Sequence, residues 1–128
     1  MVPTRPDGKV TIVVATRDRR ADLEHSLAHH DAPVIVVDNG STDGSVDAVR
    51  ARDPVIDVVA LSENRGAPAR NIGVERARTP YVAFADDDSW WAPGSLARAA
   101  DLFDIHPRLA LLACGTRSRS AWAPGTWP

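Results

Sequence analysis

Residues 81–88 read Tyr81-Val82-Ala83-Phe84-Ala85-Asp86-Asp87-Asp88, so that an apolar run leads directly into three carboxylates. A short run of this kind is typical of a strand that is buried on both faces of a sheet. Three earlier runs have the same character, and polar residues follow each of them: Val10–Ala15, Val34–Val37 and Val55–Leu61. The sequence therefore predicts four buried strands, and a further apolar run, Leu109–Ala113, is expected to form a fifth.

Helix-like segments alternate with these strands, and each carries apolar residues three or four positions apart, which places them on one face. The segments are Arg20–His30 with Leu23 and Leu27, a short helix after the turn 41–45 with Val46 and Val49, Ala69–Arg78 with Ile72 facing inward, and a helix with Pro93 in its first turn and Leu96, Ala100 and Phe103 as its stripe. Strand–helix alternation with short connections predicts right-handed crossovers. The expected fold class is α/β, with a mostly parallel sheet and helices on both faces.

Length and composition limit the class of protein further. The chain has 128 residues, of which 44% are hydrophobic and 25% charged, enough for one domain with a core but hardly for two. A net charge of −2 excludes the basic excess that drives sequence-independent nucleic-acid binding, so no nucleic-acid partner is expected. The apolar runs are far shorter than a membrane span, so no transmembrane segment is expected.

The single cysteine, Cys114, excludes an internal disulfide and a cysteine-based zinc site, and it is interpreted as a small core residue. The first nine residues are polar and precede no apolar signal segment. Both features indicate a reducing, cytoplasmic location.

Three polar clusters follow predicted strands: Thr16–Arg19, Asp38–Ser41 and Asp86–Asp88. Ligands of open α/β sheets bind outside the carboxyl ends of the strands, where these clusters would converge. Any one cluster is explained as the start of a loop, whereas three at one edge indicate a binding site.

Side chains alternate along an extended chain, so Asp86 and Asp88 should point one way and Asp87 the other. Carboxylate oxygens suit Mg²⁺ or Mn²⁺, which complete their coordination with water and substrate phosphates. The triplet alone is equally consistent with a solvated acidic turn before the next helix. His25 and His29, four apart on a helix, are interpreted as a surface pair rather than a zinc site, because no third ligand is evident.

Four blocks of the sequence, in order, resemble the family 2 glycosyltransferases: Val10–Arg19, Val36–Ser45, Asn64–Gly73, and Val82–Asp88 with Trp91 and Pro93. The resemblance covers Val10 to Ala113. It implies a Rossmann-like GT-A fold that binds a nucleotide-diphosphate sugar, a UDP- or dTDP-sugar, together with Mn²⁺ or Mg²⁺. It also implies a nucleotide-sugar-binding half-domain over residues 1–113. The remaining residues, 114–128, are expected to form an irregular tail, because Ser, Arg, Pro, Gly and Trp follow one another there without a period.

The resemblance assigns a role to each matching residue. Thr16 and Arg17 would contact the nucleobase, Asp38 would hydrogen-bond it, and Arg70 would help to close the base pocket. The substrate-binding and metal residues of the Asp-any-Asp motif are Asp86, which would contact the ribose and assist the metal, Asp87 as its variable middle, and Asp88 as the main metal ligand.

No residue matches the family's catalytic base, and the sequence stops about where the acceptor-binding half of the family begins. The chain is therefore expected to be a truncated inverting transferase whose acceptor and sugar are unknown. One alternative is a module that binds nucleotide sugar without transferring it. Two others are a nucleotidyltransferase and a phosphatase of the haloacid dehalogenase type, although both classes require motifs after the first strand that this sequence lacks. An unfinished sheet would expose apolar surface near Leu109–Ala113, which predicts a homodimer.

Overall fold

The computed structural model describes residues 8–115, and within that range four strands alternate strictly with four helices. The strands are β1 (Val10–Thr16), β2 (Val34–Asp38), β3 (Asp57–Ala60) and β4 (Tyr81–Ala85), and the helices are α1 (Arg20–Leu27), α2 (Ser45–Arg52), α3 (Ala69–Arg76) and α4 (Ser95–Ile105). The strands form one parallel sheet in the order β3-β2-β1-β4. The predicted α/β class with a parallel sheet is confirmed.

Alternate residues of the central strands fill two separate cores. On one face of the sheet, residues such as Ile12 and Val14 belong to a cluster with Leu23 of α1, Val49 of α2 and Leu96 of α4. On the other face, residues that include Val13 and Val37 pack with Ala69 of α3. Because both faces are covered, β1 and β2 are almost entirely buried and read as continuous apolar runs. The prediction of four buried strands was wrong for β3 and β4, which lie at the two ends of the sheet and are only partly buried.

Helix α3 lies unusually close to the sheet at Gly73. A Cβ atom at this position would collide with the side chain of Val13 on β1. Only glycine allows this approach, which in turn places the first residues of α3 beside the carboxyl ends of β1 and β2.

The register of the sheet brings three of the polar clusters to one edge. Thr16 on β1 lies opposite Asp38 on β2, and Val14 lies opposite Ala85, the last residue of β4. The segments that follow β1, β2 and β4 therefore emerge side by side.

Several predicted boundaries were wrong by a few residues. Helix α1 ends at Leu27 and not at His30, and α3 ends at Arg76 because Ala77 has extended backbone angles. Strand β3 begins at Asp57, since Val55 lies in an exposed turn before it. Helix α4 begins at Ser95, and Pro93 precedes it, because Gly94 at its N-cap is left-handed, with φ of 80°.

The predicted fifth strand does not form. Leu109–Ala113 has no regular structure, and Leu111 is 77% exposed. The N–H group of Leu109, the first residue of the segment, bonds to the carbonyl of His106 in a turn and is not available to a neighbouring strand. Cys114, which follows, is exposed and is not a core residue. The predicted tail, 114–128, lies outside the described residues from position 116 onward.

No described helix is long and apolar enough to cross a membrane. The longest of them, α4, has 11 residues and carries its apolar stripe as predicted, with Leu96 and Ala100 buried and the Phe103 ring stacked on Tyr81.

Candidate functional site

Asp18 joins the loops that follow β1 and β2. It has a left-handed backbone with φ of 50°, a conformation that aspartate tolerates better than most residues. Its Oδ1 accepts the Thr42 N–H at 2.7 Å, and its own N–H donates to Ser41 Oγ at 2.8 Å. The two loops are therefore held together at the sheet edge.

Asp43 links the starts of two helices at the same edge. One carboxylate oxygen accepts the backbone N–H of Arg20 at 3.0 Å, at the start of α1, and the other accepts the N–H of Ser45 at 3.1 Å, at the start of α2. The hydrogen bond from the Ser45 side chain, with these backbone bonds, holds the pKa of Asp43 below its ordinary value. Asp43 thus satisfies backbone donors at the start of both helices.

Asp38 is buried beneath these loops, with only 2% of its surface exposed. Its Oδ2 accepts the Ser41 N–H at 2.9 Å and its Oδ1 accepts the Ser41 hydroxyl at 2.6 Å. A carboxylate has about four acceptor positions, so these two bonds orient Asp38 without saturating it.

Asn39, which sequence reasoning did not single out, connects the loop before α3 to the site. Its Oδ1 accepts the Arg65 N–H at 3.2 Å, and its Nδ2 donates to the Gly66 carbonyl at 3.3 Å. The available signal was its position directly after a buried strand, in the polar cluster 38–41.

A cleft of about 300 Å³ opens at this edge. Its walls are formed by Ala15, Thr16, Arg17, Arg19, Asn39, Gly66, Ala67, Arg70 and Asp87. Four of the predicted site residues therefore meet in one cleft, while Asp38, Asp86 and Asp88 lie outside its walls. A larger groove of about 1070 Å³ runs along the amino ends of the strands but contains none of the predicted site residues. We assign the smaller cleft as the candidate binding site, because open α/β sheets bind ligands at the carboxyl edge.

The three aspartates after β4 alternate as expected. The side chains of Asp86 and Asp88 are 70% and 50% exposed, whereas that of Asp87 is only 8% exposed. Arg70 Nη2 lies 3.1 Å from Asp86 Oδ1, and Arg19 Nη2 lies 3.3 Å from Asp88 Oδ2. In this structure the two outward carboxylates are each paired with an arginine.

Asp87 anchors this acidic segment to β1 and α1. Its carboxylate accepts the Thr16 hydroxyl at 2.9 Å and pairs with Arg19 Nη1 at 3.2 Å, while its carbonyl accepts the Ser26 hydroxyl at 2.9 Å. Burial raises the pKa of Asp87, and the Thr16 hydrogen bond and the Arg19 charge oppose that rise. The middle aspartate thus has a defined structural role that the motif alone did not indicate.

Trp90 lies beside the acidic segment and contacts the histidine pair, of which His25 is in α1 and His29 lies in the turn after it, not on the helix as predicted. Its ring stacks on His29, with centroids 4.0 Å apart and planes 14° apart, and meets His25 edge-on at 5.6 Å. Among residues 8–115, no three His, Cys, Asp or Glu side chains are gathered to hold a metal ion. Mg²⁺ and Mn²⁺ need only one or two protein carboxylates when substrate phosphates complete the shell, and the outward Asp86 and Asp88 fit that donor set.

A parallel sheet with a polar cleft at its carboxyl edge, flanked by arginines and carboxylates, defines a Rossmann-like α/β binding domain. The family model described as glycosyl transferase family 2 matches residues 11–128. The chain therefore belongs to this family, as the four sequence blocks predicted, and the nucleotidyltransferase and phosphatase alternatives are set aside.

Its curated relatives include a putative teichuronic acid biosynthesis glycosyltransferase, TuaG, of Bacillus subtilis, which is 40% identical over 64% of this chain and 35% of that protein. The succinoglycan biosynthesis protein ExoU of Rhizobium meliloti is 39% identical over 70% of this chain and 29% of that protein. The chain thus spans about a third of the length of these relatives.

Solved structures of S. aureus TarS have the same fold. The complex of TarS 1–349 with UDP-GlcNAc aligns with a TM-score of 0.66 and 28% identity, covering 77% of this chain and 32% of that one. The complex with UDP aligns with a TM-score of 0.62 and 30% identity, covering 77% and 33%. The GT-A fold expected from the sequence is confirmed.

Proposed function

We propose that residues 8–113 form the donor-binding part of a transferase that takes a sugar from UDP or dTDP and passes it on with inversion. The observation that carries this proposal is the cleft in which Thr16, Arg17 and Arg70 meet beside the acidic segment 86–88. The similarity to TarS, which was solved with UDP-GlcNAc and with UDP, supports a uridine nucleotide as the first candidate.

In this proposal the base lies against Thr16 and Arg17, and Asp38 accepts an N–H from its edge through the acceptor positions that Ser41 leaves free. Arg70 supplies a second polar contact. Its Nε is buried and has no hydrogen-bond partner among the described residues, and an unpaired buried donor costs about 1–3 kcal/mol. An oxygen of the bound nucleotide would satisfy it.

Asp88, with Asp86, would hold Mn²⁺ or Mg²⁺, and Asp86 would also contact the ribose. When bound, such an ion neutralises the negative charge that builds on the departing diphosphate. Arg70 and Arg19, which pair with these carboxylates here, provide positive charge on the same side of the cleft.

We propose further that these residues bind donor without transferring sugar on their own, because we assign none of them as the base that deprotonates the acceptor. Base catalysis contributes about 10²–10⁴-fold. The alternative of a module that only binds nucleotide sugar also predicts no transfer. Robust transfer to a defined acceptor by the 128-residue chain would therefore contradict both this proposal and that alternative. The single cysteine and the nucleotide-sugar donor support a cytoplasmic site of action.

A thermal-shift panel with UDP, dTDP, GDP and CMP, each with Mn²⁺ or EDTA, tests the donor and metal assignments. UDP or dTDP should stabilise the protein more in Mn²⁺, and a ligand at 100 times its Kd contributes about 2.7 kcal/mol. Asp88→Asn should remove the part of this stabilisation that depends on Mn²⁺. Asp47→Asn is the matched control, since Asp47 lies exposed on α2, away from the cleft. A metal-dependent shift that survives Asp88→Asn would refute the metal assignment.

A further inference from the structure

Arg19 lies where three carboxylates from two parts of the chain meet: Asp22 at the start of α1, and Asp87 and Asp88 after β4. Its Nε and Nη2 donate to the same oxygen of Asp22, at 3.3 and 3.0 Å. Its Nη1 lies 3.2 Å from Asp87, and Nη2 also lies 3.3 Å from Asp88. These contacts raise the pKa of Arg19, with the Asp22 hydrogen bond as the largest cause, and arginine stays charged in any case.

The three contacts are not equivalent. Asp22 receives two donors from Arg19, and Asp87 is held in place by burial and by Thr16. Asp88 is contacted only by Nη2, which also donates to Asp22, at the longest of the three Arg19 ion-pair distances, and its side chain is half exposed. Arg19 can therefore give up Asp88 while it remains bound to Asp22 and Asp87.

We infer that Arg19 is a positioning residue that competes with the divalent ion for Asp88. This inference rests on the proposed function, in which Asp88 is the main metal ligand. In the metal-free protein the guanidinium neutralises Asp88 and holds the acidic segment in place. When the ion binds, Arg19 releases Asp88 and continues to neutralise the buried Asp87.

The consequence is that the free protein binds the ion weakly and acquires it together with the nucleotide. A diphosphate supplies the negative charge and the oxygen ligands that outweigh the repulsion from Arg19. In a solvent-exposed site, the repulsion between one unit charge and a divalent ion a few ångströms away corresponds to about tenfold in affinity.

The test is a titration of the 128-residue protein with Mn²⁺ alone, in which electron paramagnetic resonance measures the free ion. Arg19→Gln should bind Mn²⁺ about tenfold more tightly than the unmodified protein. Arg20→Gln is the matched control: it removes the same charge one residue further along, from a side chain that pairs with Glu24, and should change the affinity by less than about twofold. UDP should tighten Mn²⁺ binding less in Arg19→Gln than in the unmodified protein.

A purely structural role for Arg19 would lower the thermal stability of the variant without tightening Mn²⁺ binding. If Arg19→Gln is folded by circular dichroism and binds Mn²⁺ no more tightly than the unmodified protein, the inference is wrong. If it does not fold, Arg19→Lys decides: lysine keeps the charge but lacks the planar fork, so Mn²⁺ binding should tighten by about two- to threefold. Unchanged binding in a folded Arg19→Lys protein would overturn the inference.

Asp88→Asn separates this inference from the proposed function. If Asp88→Asn abolishes Mn²⁺ binding and the Arg19 variants bind as the unmodified protein does, only the role of Arg19 is wrong. If Mn²⁺ binds equally well without Asp88, the metal assignment itself fails. If neither the unmodified protein nor Arg19→Gln binds Mn²⁺, the inference also fails, because removal of the competing charge should have exposed the site.

Discussion

The hydrogen bond from Thr16 to Asp87 offers a sharp test of how the site is held together. Thr16 is 3% exposed, and its hydroxyl donates to a carboxylate that is itself almost fully buried. Thr16→Val keeps the shape of the side chain and removes only the donor, so no cavity is created. Loss of a hydrogen bond to a charged group costs about 1.5–3 kcal/mol, which at about 4 °C per kcal/mol lowers Tm by about 6–12 °C.

The loss of stability caused by Thr16→Val should depend on pH in a defined direction. Burial raises the pKa of Asp87 in the folded protein, so its ionisation favours unfolding, and stability falls as the pH rises through that folded pKa. The Thr16 hydroxyl opposes this effect, because it stabilises the ionised carboxylate. Without the hydroxyl, the pKa of Asp87 rises further. The destabilisation by Thr16→Val is therefore largest near neutral pH and shrinks as the pH falls toward the ordinary value of 3.8.

Urea denaturation followed by circular dichroism, at a series of pH values from neutral to about pH 4, measures the loss of unfolding free energy directly. Thr16→Ser is the matched control, because it keeps the hydroxyl and should recover most of the stability that valine loses. A loss below about 0.5 kcal/mol at neutral pH would refute the reasoning, since it lies within the usual range of neutral substitutions. A loss of equal size at all pH values would show that the carboxylate is not the partner that matters.

Three further predictions concern the base pocket, the packing of α3 and the assembly state. Asp38→Ala should weaken UDP binding, measured by calorimetry, by about ten- to a hundredfold with or without Mn²⁺, because the proposed partner of Asp38 is the base. Asp47→Ala is the control, and equal binding of UDP and GDP by the unmodified protein would contradict the base-binding role of Asp38. Gly73→Ala should lower the free energy of unfolding by about 1–3 kcal/mol, because the new methyl group meets Val13, and a denaturation midpoint equal to that of the unmodified protein would contradict the close packing. The chain should form a dimer in light scattering, because Phe84 on the edge strand β4 is 46% exposed, and Phe84→Lys should shift it toward the monomer; a mass near 13.8 kDa at every concentration would show that this edge needs no partner.

Local pattern alone was enough to predict the alternation of strands and helices. The apolar runs 10–15 and 34–37 are buried because their side chains are apolar on both faces, and this property is visible in any single segment. The convergence of the polar clusters also followed from the sequence, since parallel strands joined by helices must place their carboxyl ends at one edge. The family resemblance rested on short blocks of sequence at those same strand ends, so it too was visible in the sequence, and the family match confirmed it.

The tertiary structure decided the matters that depend on a distant partner. Leu109–Ala113 has the composition of a strand, but it does not join the sheet, and Leu109 donates its N–H group to the carbonyl of His106 in a turn. The sequence placed three aspartates side by side, yet only folding made Asp87 the buried anchor and gave Arg19 its three carboxylates. Those contacts join residues up to 71 positions apart, a separation over which sequence periodicity carries no information. What the sequence determined was thus which side chains reach the edge, and what the fold determined was which of them meet there.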